Sequence, residues 1–97
     1  MKRVYKYHLD IQDEVSVMMP KGARVLSVQV QDGRPCLWAA VDPIQIELEK
    51  RTFRIAGTGH PIADDVIDGF VGTIQMLDGR LVFHVFEMNA YEEDNVQ

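Results

Sequence analysis

Apolar and polar positions alternate with a period of two along almost the whole chain, and that period predicts strands. In "RVLSVQVQ", Leu26, Val28 and Val30 fall on one face and Ser27, Gln29 and Gln31 on the other. "RVYKYHL" sets Tyr5, Tyr7 and Leu9 against Lys6 and His8, and "EVSVMMP" adds a shorter run. "IQIELEKR" alternates Ile44, Ile46 and Leu48 with Gln45, Glu47 and Glu49, which predicts a half-exposed strand of its own. "TFRIAG" then sets Phe53 and Ile55 against Arg54 and Ala56. Two "DGR" turns, at Asp32-Gly33 and Asp78-Gly79, stand where a hairpin needs residues that tolerate positive φ.

Two segments are apolar on both faces. "PCLWAAV" has Leu37, Ala39 and Val41 on one side and Cys36, Trp38 and Ala40 on the other. "LVFHVFEM", preceded by "FVGTIQM", has Leu81, Phe83 and Val85 against Val82, His84 and Phe86. Such strands are central to a double-sided core or lie beneath a second subunit, so they predict a homo-oligomer. Only "HPIADDVIDGF" lacks a period, and it predicts an irregular stretch with one helical turn starting near Asp64 or Asp65. About seven short antiparallel strands in one domain make the class all-β, a small β-sandwich or partly open barrel. The pattern places the domain at residues 1–90 and an acidic tail, "YEEDNVQ", at 91–97.

Composition narrows the function classes. With 97 residues, 46% of them apolar, the chain holds one modest core, which is a further reason to expect association. A single cysteine, Cys36, excludes an internal disulfide framework and suits a reducing cytoplasm. No apolar run approaches the roughly 20 residues of a membrane span, and the basic start has no apolar stretch behind it, so neither a membrane nor a secretion signal is expected. The net charge of −5 is uneven. Residues 1–60 carry nine Lys/Arg against seven Asp/Glu, and residues 61–97 one against eight. Without a basic stripe, nucleic acid polymers are not expected partners.

The chemistry concentrates in "GTGHPI". Glycines at 57 and 59 let successive backbone N–H groups turn toward one point, as in an anion-binding nest. Thr58 adds a hydroxyl, and His60 a ring donor ahead of Pro61. Arg51 and Arg54 precede the turn on a strand and can neutralise a phosphate or carboxylate. Trp38 offers a face on which a base stacks. Against this stands the plainer alternative of a glycine-rich turn with Trp38 in the core. The motif is neither a P-loop, since no Lys-Ser/Thr pair follows, nor a dinucleotide fingerprint, since no third glycine and no helix follow. His8, His60 and His84 are too widely spaced to suggest a metal site, and no catalytic residue or cofactor is assigned.

Three stretches in order, "VLSVQVQDGRPCLWAAVDP", "RIAGTGHPI" and "FVGTIQMLDGRLVFHVFE", carry a resemblance to a family of small, mostly uncharacterised proteins of tailed bacteriophages and prophages. The resemblance implies a cytoplasmic protein of an infected bacterium and brings no established activity or residue role. Small phage proteins often act on host systems, by contact with defence enzymes or as oligomeric sponges for nucleotide signals. The expected function is therefore non-enzymatic sequestration of a small anionic, nucleotide-like ligand by Gly57, Thr58, Gly59, His60, Arg51, Arg54 and Trp38. The alternative is an inhibitor that meets a host defence or replication enzyme through its acidic surface.

Overall fold

The computed structural model describes residues 1–88; the expected acidic tail at 91–97 and the domain end at residue 90 lie outside them. The fold is all-β. Seven strands occur in chain order: β1 (Arg3–His8), β2 (Glu14–Pro20), β3 (Arg24–Gln31), β4 (Arg34–Val41), β5 (Leu48–Gly57), β6 (Phe70–Met76) and β7 (Leu81–Glu87). A short 3-10 segment, Asp64–Gly69, precedes β6 and supplies the expected helical turn. The strands form two antiparallel open sheets, ordered β1-β4-β3 and β2-β5-β7-β6.

Alternation decides what each sheet buries. Val28, Leu37, Ala39 and Val41 of the three-stranded sheet pack against Phe53, Ile55, Ile74 and Val85 of the four-stranded one, with Leu9 and Met19 completing the core. Where β3 and β6 approach, a Cβ on Gly72 would lie 3.0 Å from Cγ1 of Val28, so the small residue permits the contact. At the β3–β4 hairpin, Asp32 (φ 52°) and Gly33 (φ 77°) form the expected two-residue turn.

The structure departs from the pattern in four places. Leu26 does not share the core face with Val28 and Val30. A bulge between Val25 and Ser27 sends Val25 inward and leaves Leu26 47% exposed. Residues 44–47 do not form a strand. Asp42 Oδ1 accepts from the Ile44 amide (3.1 Å) and Asp42 C=O from the Gln45 amide (3.0 Å), which makes a turn, and β5 runs unbroken from Leu48 through the two segments expected to be separate. The second hairpin has a four-residue loop, 77–80, rather than a two-residue one. Leu77 and Asp78 both take positive φ, and the Gly79 and Arg80 amides bond to Met76 and Leu77 C=O. Finally, the second apolar face of β7 is covered from within the chain: Val66 and Ile62 pack on Ala56 and Phe86.

Candidate ligand-binding site

β5 ends at Gly57, and the chain reverses through Thr58 and Gly59. The His60 amide donates to Gly57 C=O at 3.0 Å, and Gly59 takes φ 91°, the positive value that the third position of a type II turn requires. The His60 ring folds back across the strand end. A Cβ on Gly57 would come within 3.1 Å of its Cε1 and 3.2 Å of its Nδ1, so glycine at 57 makes room for the imidazole. The Gly59 amide donates to none of the described residues, while the Gly57–Phe83 pair at the end of the ladder turns the Thr58 amide toward Val82 C=O.

Thr58 engages a side chain that the sequence did not assign to the site. Its Oγ1 lies 2.7 Å from Nε2 of His84, and the other ring nitrogen, Nδ1, lies 2.9 Å from Oγ1 of Thr73. The strand register causes this meeting: His84 of β7 stands opposite Ala56 on β5 and Thr73 on β6, on the sheet face away from the core. A neutral imidazole donates from one nitrogen and accepts at the other, so one hydroxyl accepts from the ring and keeps its own proton. An imidazolium donates from both nitrogens, and both hydroxyl protons then point elsewhere.

Arg54 underpins the turn. It lies on the same outer face, opposite Phe86. Nη1 donates to Ile55 C=O (2.7 Å) and Asp13 C=O (3.2 Å), and Nη2 to Pro61 C=O (3.1 Å). Asp13 Oδ1 lies 3.5 Å from Nη1. The guanidinium thus ties the exit of the turn to β5 while keeping N–H groups and a positive charge beside it.

Two expected site residues do not join this group. Arg51 points to the core side of the sheet, opposite Val17, six residues before Gly57, a separation of about 20 Å along a strand. Its Nε donates to Glu87 (2.5 Å) and its Nη1 to Glu49 (3.1 Å) and Ala23 C=O (2.8 Å). Desolvation alone lowers its pKa, but Glu87 and Glu49 outweigh burial and raise it. Arg51 is a charged anchor for the β2–β3 loop, not an open receptor. Trp38 belongs to the other layer. It faces away from the core on the three-stranded sheet, between Lys6 and Ser27, while Leu37 and Ala39 point inward. Sequence reasoning brought in Arg51 and Trp38 by residue type and missed Thr73 and His84, whose meeting is set by the pairing of β6 and β7. The signal was faint: a polar His84 in the otherwise apolar face of Val82 and Phe86.

Elsewhere, Cys36 Sγ lies 3.4 Å from His8 Nδ1 across the β1–β4 pair, but the thiol is fully buried. Among the described residues no group of His, Cys, Asp or Glu converges as a metal site, and no helix is long and apolar enough to cross a membrane.

Residues 1–96 match the profile of a family described as a domain of unknown function, DUF7352. The chain belongs to that family. No curated protein and no solved structure matches it significantly. The DUF7352 match spans both sheets, the 57–60 turn and His84, so the whole arrangement lies inside the family's domain.

Proposed function

We propose that this protein binds a small anionic, nucleotide-like ligand at the 57–60 turn without catalysing its turnover, and so sequesters it in the phage-infected cell that the sequence resemblance implies. The observation that carries this reading is the chain Thr58–His84–Thr73 beside the Gly59 amide, which donates to no described residue. Amide N–H groups and hydroxyls directed by an imidazole are donors suited to phosphate oxygens, and Arg54 supplies the charge. With Trp38 in the other layer, the exposed ring of His60 takes over the stacking role. The exposed Asp64, Asp65 and Asp68 nearby favour a compact ligand over a polyanion. Calorimetric titration with nucleoside monophosphates and with inorganic phosphate tests the reading. Binding is expected for the native chain and lost in Thr58→Val and His84→Ala with the fold intact; equal binding by all three overturns it.

A second reading, an inhibitor of a host enzyme, draws on the same acidic segment. Asp64, Asp65 and Asp68 are exposed there beside Ile67 (53% exposed) and Phe70 (55%), a charged surface with apolar contact points. Under that reading, replacing the three aspartates by asparagine abolishes inhibition, whereas Thr58→Val leaves it unchanged.

A further inference from the structure

The segment 44–48 has the alternation of a strand without the pairing of one. Ile44 is 83% exposed, Ile46 91% and Leu48 59%, and Met18, opposite Lys50 on β2 and diagonal to Leu48, is 53% exposed. Four large apolar side chains this close together on a surface are costly in water unless something covers them. We infer that a second copy of this chain covers them, pairing its own 44–48 segment antiparallel to this one about a two-fold axis through Ile46.

The backbone shows which edge is available. The Lys21 amide donates to Glu47 C=O (2.8 Å), so odd-numbered residues at the start of β5 turn their backbone groups toward β2. Even-numbered residues face the other way, where β7 lies only from Thr52 onward: the Met88 amide donates to Thr52 C=O (2.8 Å), and Phe53 pairs with Glu87. Among the described residues nothing pairs with that edge from Ile46 to Lys50. An edge of this kind is a template for another strand.

The sequence of the segment is self-complementary in one register. With the axis at Ile46, Ile44 opposes Leu48 of the second copy, Ile46 opposes its counterpart, Gln45 opposes Glu47, and Asp42 opposes Lys50. An axis at Glu47 sets two glutamates face to face, and one at Gln45 sets Asp42 against Leu48. On docking, the turn held by Asp42 opens, and the Ile44 amide exchanges its bond to Asp42 Oδ1 for one to Leu48 C=O of the second copy.

Sedimentation velocity over a range of concentrations tests this on the full chain. The native protein is expected to show a monomer–dimer equilibrium, and Ile46→Asp to weaken it about a hundredfold by placing like charges opposite each other. Ile46 is 91% exposed within one subunit, so this variant keeps the native circular dichroism and, at concentrations where the native chain is monomeric, its melting temperature. In Ile46→Cys, the two thiols stand across the axis on Cα atoms about 5.5 Å apart, within disulfide range, so mild oxidation yields a covalent dimer. Leu77→Cys, on the 77–80 loop, yields none. A monomer at every concentration overturns the inference, as does a dimer indifferent to Ile46→Asp. Dimerisation that appears only after removal of residues 89–97 also overturns it, since the chain's own end then occupies the edge.

Discussion

The two outward faces of the sandwich begin from the same sequence pattern and end differently. β7 and β4 are both apolar on two sides. Over β7 the chain covers its own surplus: the 61–69 segment lays Ile62 and Val66 on Ala56 and Phe86, and Phe86 meets Phe70 at 5.6 Å between ring centroids. Over β4, among the described residues, no such apolar cluster forms. Cys36 is buried by neighbours on its own sheet, His8 among them, while Trp38 and Ala40 stay half-exposed. The lesson is that a two-sided apolar strand does not by itself require a partner chain, because an irregular loop can serve. The same covering segment borders the candidate site, since it starts at the 57–60 turn and packs on Ala56, the residue paired with His84.

The sharpest way to break this contrast is Gly69→Ala. A Cβ there would stand 1.9 Å from Glu87 C=O, a backbone atom that cannot step aside, so the covering segment must lift off the sheet. A loss of about 3 kcal/mol in urea unfolding is expected, with faster amide exchange along β7. Next, Phe86→Ala should cost about 3–4 kcal/mol, and Trp38→Ala, on the uncovered face, at most about 2 kcal/mol. Equal costs would mean that the two faces are packed alike. Cys36→Ser keeps a hydrogen-bonding group against His8 and is expected to change stability by about 1 kcal/mol or less, read from thermal melts. Thr58→Val should have the smallest effect on stability, about 0.5 kcal/mol, while removing ligand binding.

Most of the fold was legible because a period of two says which side chains share a face, and hairpins with Asp-Gly turns link neighbours. What failed was local. Alternation sets Leu26 on one face with Val28 and Val30 because it carries no mark of a bulge, which moves one residue out of phase. Residues 44–47 alternate like a strand, yet the Asp42-Pro43 turn holds them out of the sheet and leaves Ile44 and Ile46 exposed. The Gly57–His60 turn was legible from its glycines, and Arg54 from its position before it. Arg51 and Trp38 were misplaced because residue type reveals neither the face nor the layer. Arg51 sits on the core side with Glu49 and Glu87 at hand, and Trp38 lies across the sandwich from the turn. His84 carries only a faint signal, a polar residue on an apolar face, and its meeting with Thr73 is set by the β6–β7 register.

The claim that the turn and the His84 chain form one ligand seat is tested most directly by nuclear magnetic resonance. Titrating a nucleoside monophosphate into labelled protein should shift the Thr58 and Gly59 amides and the His84 ring nitrogens together, along one saturable curve, while Trp38 and Arg51 stay still. Ring nitrogens of His84 that do not move, or shifts centred on Trp38, would contradict it.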